Sequence, residues 1–348
     1  MDITLDEQDK KMQMLDDFFS GKQQSFKACY QEITGDMRVT GALRDAVRIQ
    51  AAVNTTTFSL ALGDAISRAM VSEYNATGLD TWKKIANIIS ARDFRTRRCI
   101  SIGGYSNLPT VTQGSAYAAL TTPGNIEATY AITKKGGVED ITLEAIKNDD
   151  VNIVRQIPVK LGRAASRTLY NFVFDLLKNN AAIYDTVALF HATHANLGTT
   201  ALAKATLQAG RLAMMKQTEA DSGEQLDIPP RFLIVPPDLE DIAYELTSQP
   251  NLAGFTPTSP DAVRRQTWEV ISVKNWTDVN NWYLAADPKD VPSIEMAFLD
   301  GREEPEVMIQ DQPNSGSMFS NDKLTYKIRH IYGGAVTNYR GLYGAIVP

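Results

Sequence analysis

Histidine and cysteine are scarce in this chain, with three His and two Cys among 348 residues. Cys29 and Cys99 offer neither a CxxC spacing nor a disulfide framework, which fits a reducing compartment with both thiols free. Sustained runs of Lys and Arg are missing too, and the net charge is −6. A nucleic-acid reader must neutralise phosphates, so this balance argues against one. The best basic cluster, RDFRTRR at 92–98, is short and reads as a solvated or subunit-contacting strand end. No apolar run is long enough to span a bilayer, and the opening MDITLDEQDKK lacks the basic and apolar regions of a secretion signal. The expectation is a protein made and folded in a cytoplasm, away from membranes.

The usual chemical signatures are also absent. Neither a GxxxxGK[ST] phosphate loop, a GxGxxG turn nor a GxSxG elbow occurs. One metal-like pair exists, His191 and His194 in FHATHANLGTT, but it is spaced i, i+3 and no Glu follows the first His. Zinc pairs on a helix sit at i, i+4, so these read as hydrogen-bonded loop histidines. A small metallohydrolase using this pair is the rival reading from another class. His330 has no local nucleophile beside it. Asp149 and Asp150 are adjacent, so on a helix they point apart and serve as a cap. The expectation is no catalytic residue, no metal, no cofactor and no enzyme activity.

What the chain does have is ordinary globular composition, 43% hydrophobic and 22% charged, at a length that suggests two domains. Four units of its negative charge lie within residues 1–20, where six acids face two lysines. Against this background one stretch stands out: GGYSNLPTVTQGSAYAALTTPGN, residues 103–125, carries no charge. From Cys99 to Thr133 the only charged residue is Glu127. A long uncharged loop suits a segment whose solvent is another protein. Base stacking by Tyr105 and Tyr117 would need a basic groove, which the sequence does not supply.

The flanks of this stretch read as strands: RTRRCISI before it, and IEATYAITK after it with Ile126, Ala128, Tyr130 and Ile132 at period two. Together they predict an extended hairpin, with Gly136–Gly137 closing it. Upstream, helical spacing marks TTTFSLALGDAISRAMVSEY and, as a second helix, Thr81 to Ser90. Residues 149–180 give the strongest helical pattern, on the order of 40 Å long at 1.5 Å per residue. Pro158 and Gly162 should bend that helix or delay its start. Beyond 181 the pattern becomes mixed: a helix over 204–218, a buried strand at Phe232–Val235, and a helix from Asp238 behind Pro237. Strands follow at TWEVISV, NWYLAAD, SIEMAFLDG and EPEVMIQD, the last two joined by a turn at Asp300–Gly301. A long strand through Leu324, Tyr326, Ile328 and His330 then crosses back.

Several patterns, in order and at matching distances, resemble the major capsid proteins of tailed bacteriophages with the HK97-type fold, and within them the Mu-type major head subunit branch. They are ITGDMRVTG, DFRTRRCISIGGYSNLPTVTQGSAY, ITLEAIKNDDVNIVRQIPVKLGRAASRTLYNFVFDLL, ALFHATHANLGTTAL, RFLIVPPDLEDIAYEL and KIRHIYGGAVTNYRGLYGA. The resemblance covers about Ile33 to the C-terminus. It implies an α+β fold: an N-terminal arm at 1–55, the first part of a peripheral domain at 56–94 and an E-loop hairpin at 95–135. The peripheral domain with its spine helix then occupies 136–182, a mixed α/β axial domain 183–290 and the return strands 291–348.

It also implies roles. Tyr105, Leu108, Pro109, Val111, Tyr117 and Leu120 would contact a neighbouring subunit. Gly103, Gly104, Gly136 and Gly137 would act as E-loop hinges, and Arg95, Arg97 and Arg98 would supply charge at its base. The partners would be further copies of the chain in pentamers and hexamers, a portal, a scaffold or maturation protease, and double-stranded DNA held non-specifically. The product would be an icosahedral head in the virion, assembled in the bacterial cytoplasm. Some relatives cross-link through an E-loop Lys; none lies between Arg98 and Lys134, so a non-covalent shell is expected. The acidic residues 1–20 read as a cleaved remnant, a scaffold contact or an unprocessed arm, and Met1 favours the last. An encapsulin-like compartment holding cargo is the alternative within the same fold.

Overall fold

The structure is a computed structural model. It describes residue 17 and residues 56–142, 151–247, 267–310, 316–321 and 323–348. Apart from Asp17, the arm expected at 1–55 lies outside the described residues, as do the Asp149–Asp150 cap and 248–266. Two units share the chain: Met1–Asp80 with Lys134–Leu169 and Arg302–Ile331, and Thr81–Thr133 with Tyr170–Gly301 and Tyr332–Pro348.

In the first unit, helix α1 (Thr56–Ala76) meets the N-terminal part of helix α2 (Val151–Lys178). The contact is close because Gly162 has no side chain: a Cβ there would come within 2.6 Å of the Met70 carbonyl oxygen. Arg163 pairs with Glu73 at 2.5 Å, and the Thr77 and Ser166 hydroxyls lie 2.7 Å apart. Ile66, Met70 and Leu169 are fully buried. Helix α2 runs through Pro158 without a break in its span. A proline removes one intrahelical bond, and burial of the helix's apolar stripe outweighs that loss.

Strand β4 (Thr133–Thr142) and strand β10 (Glu306–Gln310) both pair with strand β11 (Lys323–Val336), β10 antiparallel from Glu306↔Arg329 to Gln310↔Thr325. Gly136 and Gly137, expected to close the hairpin and serve as hinges, lie inside β4. A Cβ on Gly136 would overlap the Ile328 carbonyl oxygen, so glycine is what lets the two strands approach there. A short helix, α5 (Gly316–Asn321), precedes β11 and had no sequence reading.

In the second unit, the helix expected at 81–90 is replaced by one 3₁₀ turn, Thr81–Lys84, and strand β1 (Ala86–Ala91). Tertiary pairing overrides the helical spacing: β1 runs parallel to strand β9 (Ile294–Leu299), from Ala86↔Ile294 to Ala91↔Leu299. Ile88 and Ile89 are β-branched and suit that setting. Residues Tyr332–Val336 of β11 flank β9 on its other side, antiparallel. The sequence reading joined 294–299 and 306–310 through a turn, and Asp300 and Gly301 do take positive φ of 54° and 73°. In the sheet order, however, β11 lies between β9 and β10.

The other sheet of this unit has the order β5-β12-β8-β6-β7: β5 (Leu197–Gly198), β6 (Pro230–Val235), β7 (Glu269–Ser272), β8 (Trp282–Ala286) and β12 (Leu342–Ala345). Every residue of β8 is buried, as befits a central strand covered on both faces. Helices α3 (Lys204–Met215) and α4 (Glu240–Thr247) contribute Leu207, Met214 and Ala243 to a core with Leu233, Val235, Trp282, Leu284 and Tyr343. The last strand lies within the range expected for the return strands. Leu342–Ala345 pairs antiparallel with β8 and parallel with β5.

Candidate functional site

The uncharged stretch forms the end of a hairpin. Strand β2 (Arg97–Ile102) pairs antiparallel with strand β3 (Asn125–Tyr130), in register from Arg97↔Tyr130 to Ile102↔Asn125. Alternation then gives the ribbon two faces. Cys99, Ala128 and Tyr130 lie on the inner face, and Ala128 and Tyr130 are buried. Ile100 and Ile102 lie on the outer face, 60% and 67% exposed.

The foot of the ribbon is tied down by a residue the sequence reading missed. One carboxylate oxygen of Glu295, on β9, accepts from Tyr130 Oη at 2.8 Å, Cys99 Sγ at 2.9 Å and Arg97 Nε at 3.3 Å. Burial, reinforced by the Glu295 hydrogen bond, pushes the Cys99 thiol up to about 12 and raises the Tyr130 phenol. Both groups keep their protons at neutral pH and act as donors, and the thiol is not a nucleophile. The only local hint was a carboxylate within the apolar run SIEMAFLDG. The expected base charges are therefore paired within the chain: Arg97 with Glu295, Arg98 with Glu127 at 3.1 Å, and the exposed Arg95 with Asp93 at 3.9 Å.

Beyond the ribbon, residues 103–124 have no regular structure, and the large apolar side chains expected to make contacts lie in the open. Tyr117 is 87% exposed and Leu108 78%; Tyr105, Pro109 and Leu120 are exposed, and Val111 is half-buried. Gly103 and Gly104 lie at the neck and pack against the turn that follows Gln217. A Cβ on Gly103 would come within 2.8 Å of the Ala220 carbonyl oxygen, and one on Gly104 would overlap the Glu219 carboxylate.

The two loop histidines are held by their own neighbourhood. His191 Nδ1 accepts from the Thr193 amide at 3.2 Å. His194 is buried and stacks on Tyr339 at 4.0 Å between ring centroids. Its Nδ1 faces the Leu189 carbonyl oxygen at 3.0 Å and its Nε2 the Asp185 carboxylate at 2.6 Å. Both ring nitrogens are thus at hydrogen-bond distance from protein oxygens. Among the described residues no group of three or more His, Cys, Asp or Glu could hold a metal ion, and no helix is long and apolar enough to cross a membrane. A cavity of about 450 Å³ lies beside the inner face of the ribbon, lined by Ala128, Phe172, Leu176 and Val336 among others. Asp175 and Tyr184 are its titratable lining, and burial pushes the Tyr184 phenol up to about 12.

A family model described as phage capsid protein matches residues 126–345, more than half of the chain. No curated protein matches it. Among solved structures, the capsid asymmetric unit of cyanophage Pam1 aligns with a TM-score of 0.51 at 11% identity, covering 75% of this chain and 87% of that one. The capsid of a native GTA particle aligns with a TM-score of 0.52 at 10% identity, covering 78% and 91%. A virus-like particle from Pyrococcus furiosus aligns at 0.45 with 10% identity, covering 80% and 97%.

Proposed function

Because the chain belongs to the phage capsid protein family and is a structural subunit of a virion shell with the HK97-type fold, we propose that its uncharged hairpin tip is the part that grips the next subunit. The observation that carries this reading is the exposure of Tyr105, Leu108, Tyr117 and Leu120 on a loop with no charge. Burying one such side chain against a neighbour contributes about 1.5–3 kcal/mol. A charge at the same place would lose several kcal/mol in desolvation. Neutrality therefore lets one loop serve slightly different settings in pentamers and hexamers.

In this reading the shell is icosahedral, non-covalent and closed around double-stranded DNA. Its assembly starts in the bacterial cytoplasm with a portal and a scaffold or protease. The net charge of −6 supports loose packing of DNA against the wall, since a strongly basic wall would bind the entering polymer. The spread of matching patterns from Ile33 onward supports the Mu-like branch. The subunit's work is mechanical, made of interfaces and free of catalysis.

The tip is tested by placing charge on it. A Leu108→Asp, Tyr117→Asp double variant is expected to stay folded by circular dichroism and to stop forming closed particles in electron microscopy. Normal particles from the variant would refute the contact role.

A further inference from the structure

We infer that the turn at 217–226 and Glu295 form a two-point bracket that sets the direction of the hairpin before any neighbour arrives. The inference rests on the reading that the tip docks on a second copy of the chain.

The foot is the Glu295 oxygen that gathers Tyr130, Cys99 and Arg97 from both strands. The second point is the neck, where both strands leave the ribbon. The Gly104 amide donates to the Ala220 carbonyl at 3.0 Å, and the Gly124 amide donates to Asp221 Oδ2 at 2.7 Å. Asn107 Nδ2 donates to Glu224 Oε1 at 2.5 Å. Gly103 and Gly124 also bond across the neck at 3.1 Å. Because both strands are tied, the ribbon cannot swing about either one alone.

The bracket is anchored in its turn. The Glu219 amide donates to the Glu224 carbonyl at 2.8 Å, Ser222 Oγ to Glu219 Oε2 at 2.8 Å, and Asp221 and Gly223 take the positive φ that closes the turn. Two buried side chains fix its stem: Arg340 Nε donates to the Thr218 carbonyl at 2.6 Å, and Gln217 Nε2 to the His194 carbonyl at 2.8 Å. Arg340 lies 4.7 Å from the Tyr339 ring, on which His194 stacks. A path of hydrogen bonds thus leads from the cluster of buried His194 and Arg340 with half-buried Tyr339 to the neck. Gly103 and Gly104 serve here as points of close approach. The part left to adapt to each neighbour is the tip beyond Asn107, and fixing the neck beforehand lowers the entropy that docking must overcome.

Hydrogen exchange on free, full-length subunits tests this. In the wild type, amides 103–107 and 124–126 should exchange more slowly than those of 110–120. Asp221→Ala removes one acceptor, and Gly103→Val wedges the neck off the Ala220 carbonyl. Each should speed exchange at the neck by about tenfold, the effect of losing one hydrogen bond. The amides of β6 and β8 should be unchanged, and Asp221→Asn, which keeps an acceptor oxygen, should restore protection. A wild-type neck that exchanges as fast as the tip would overturn the bracket, as would neck protection unmoved by both variants. Failure of the wild type to form shells would instead count against the docking reading and leave this comparison intact.

Discussion

Residue His330 sits buried in β11, its Nε2 donating to the Glu303 carbonyl at 2.9 Å and its ring edge-on to Tyr74 at 5.9 Å. Burial first, with the Lys135 charge adding to it against the Glu303 hydrogen bond, holds its pKa at about 4 instead of 6.5. Between those values the unfolded chain binds the proton and the folded one does not. The stability carried by the neutral ring is therefore complete above pH 6.5 and is lost as the pH falls through 4, to about 3 kcal/mol at that point. Urea unfolding of wild type and His330→Gln at pH 7 and pH 4 should show the gap between them narrowing by about that amount. A gap independent of pH would contradict the assignment. At this scale the sequence was legible where a residue's role depends on what it lacks: the uncharged tip was visible as such. Glu295 and Asp221 were not, because each acts on groups far away in the chain.

Helix α2 and strand β1 show the same division among elements. The apolar stripe of α2 is long enough to survive Pro158, so its 3.6-residue period identified it. Residues 86–91 are too short for period alone to decide, and a parallel partner two hundred residues away makes them a strand. Strand β12 was hidden for a related reason: its four residues, LYGA, have no pattern of their own and are ordered by β8 and β5. Gly162 tests the packing at this scale. Gly→Ala in a helix interior ordinarily gains about 1 kcal/mol in propensity. Here the added methyl meets the Met70 carbonyl of α1, so Gly162→Ala should instead destabilise by about 1–3 kcal/mol. The midpoint of urea unfolding checks the sign, and an increase would show that the helices are not in close contact.

At the scale of the whole chain, one feature of the second unit carries the account: a hairpin tied at its foot and neck and exposed at its tip. The fold class, the hairpin and the long helix were readable from the order of the patterns, whereas β1, α5 and the pairing of β12 were not. What was not readable was how the hairpin is held, because its anchors come from a turn and a strand remote in the chain. Tyr105, Leu108, Tyr117 and Leu120 stand exposed on a loop without charge, and in the proposed reading they are covered by another copy of the chain. The direct measurement is negative-stain electron microscopy with light scattering on the untagged, full-length protein over a range of concentrations. Closed shells, or rings the size of pentamers and hexamers, are the predicted result. A monodisperse monomer at every concentration, even when the scaffold, protease and portal are co-expressed, would contradict the account.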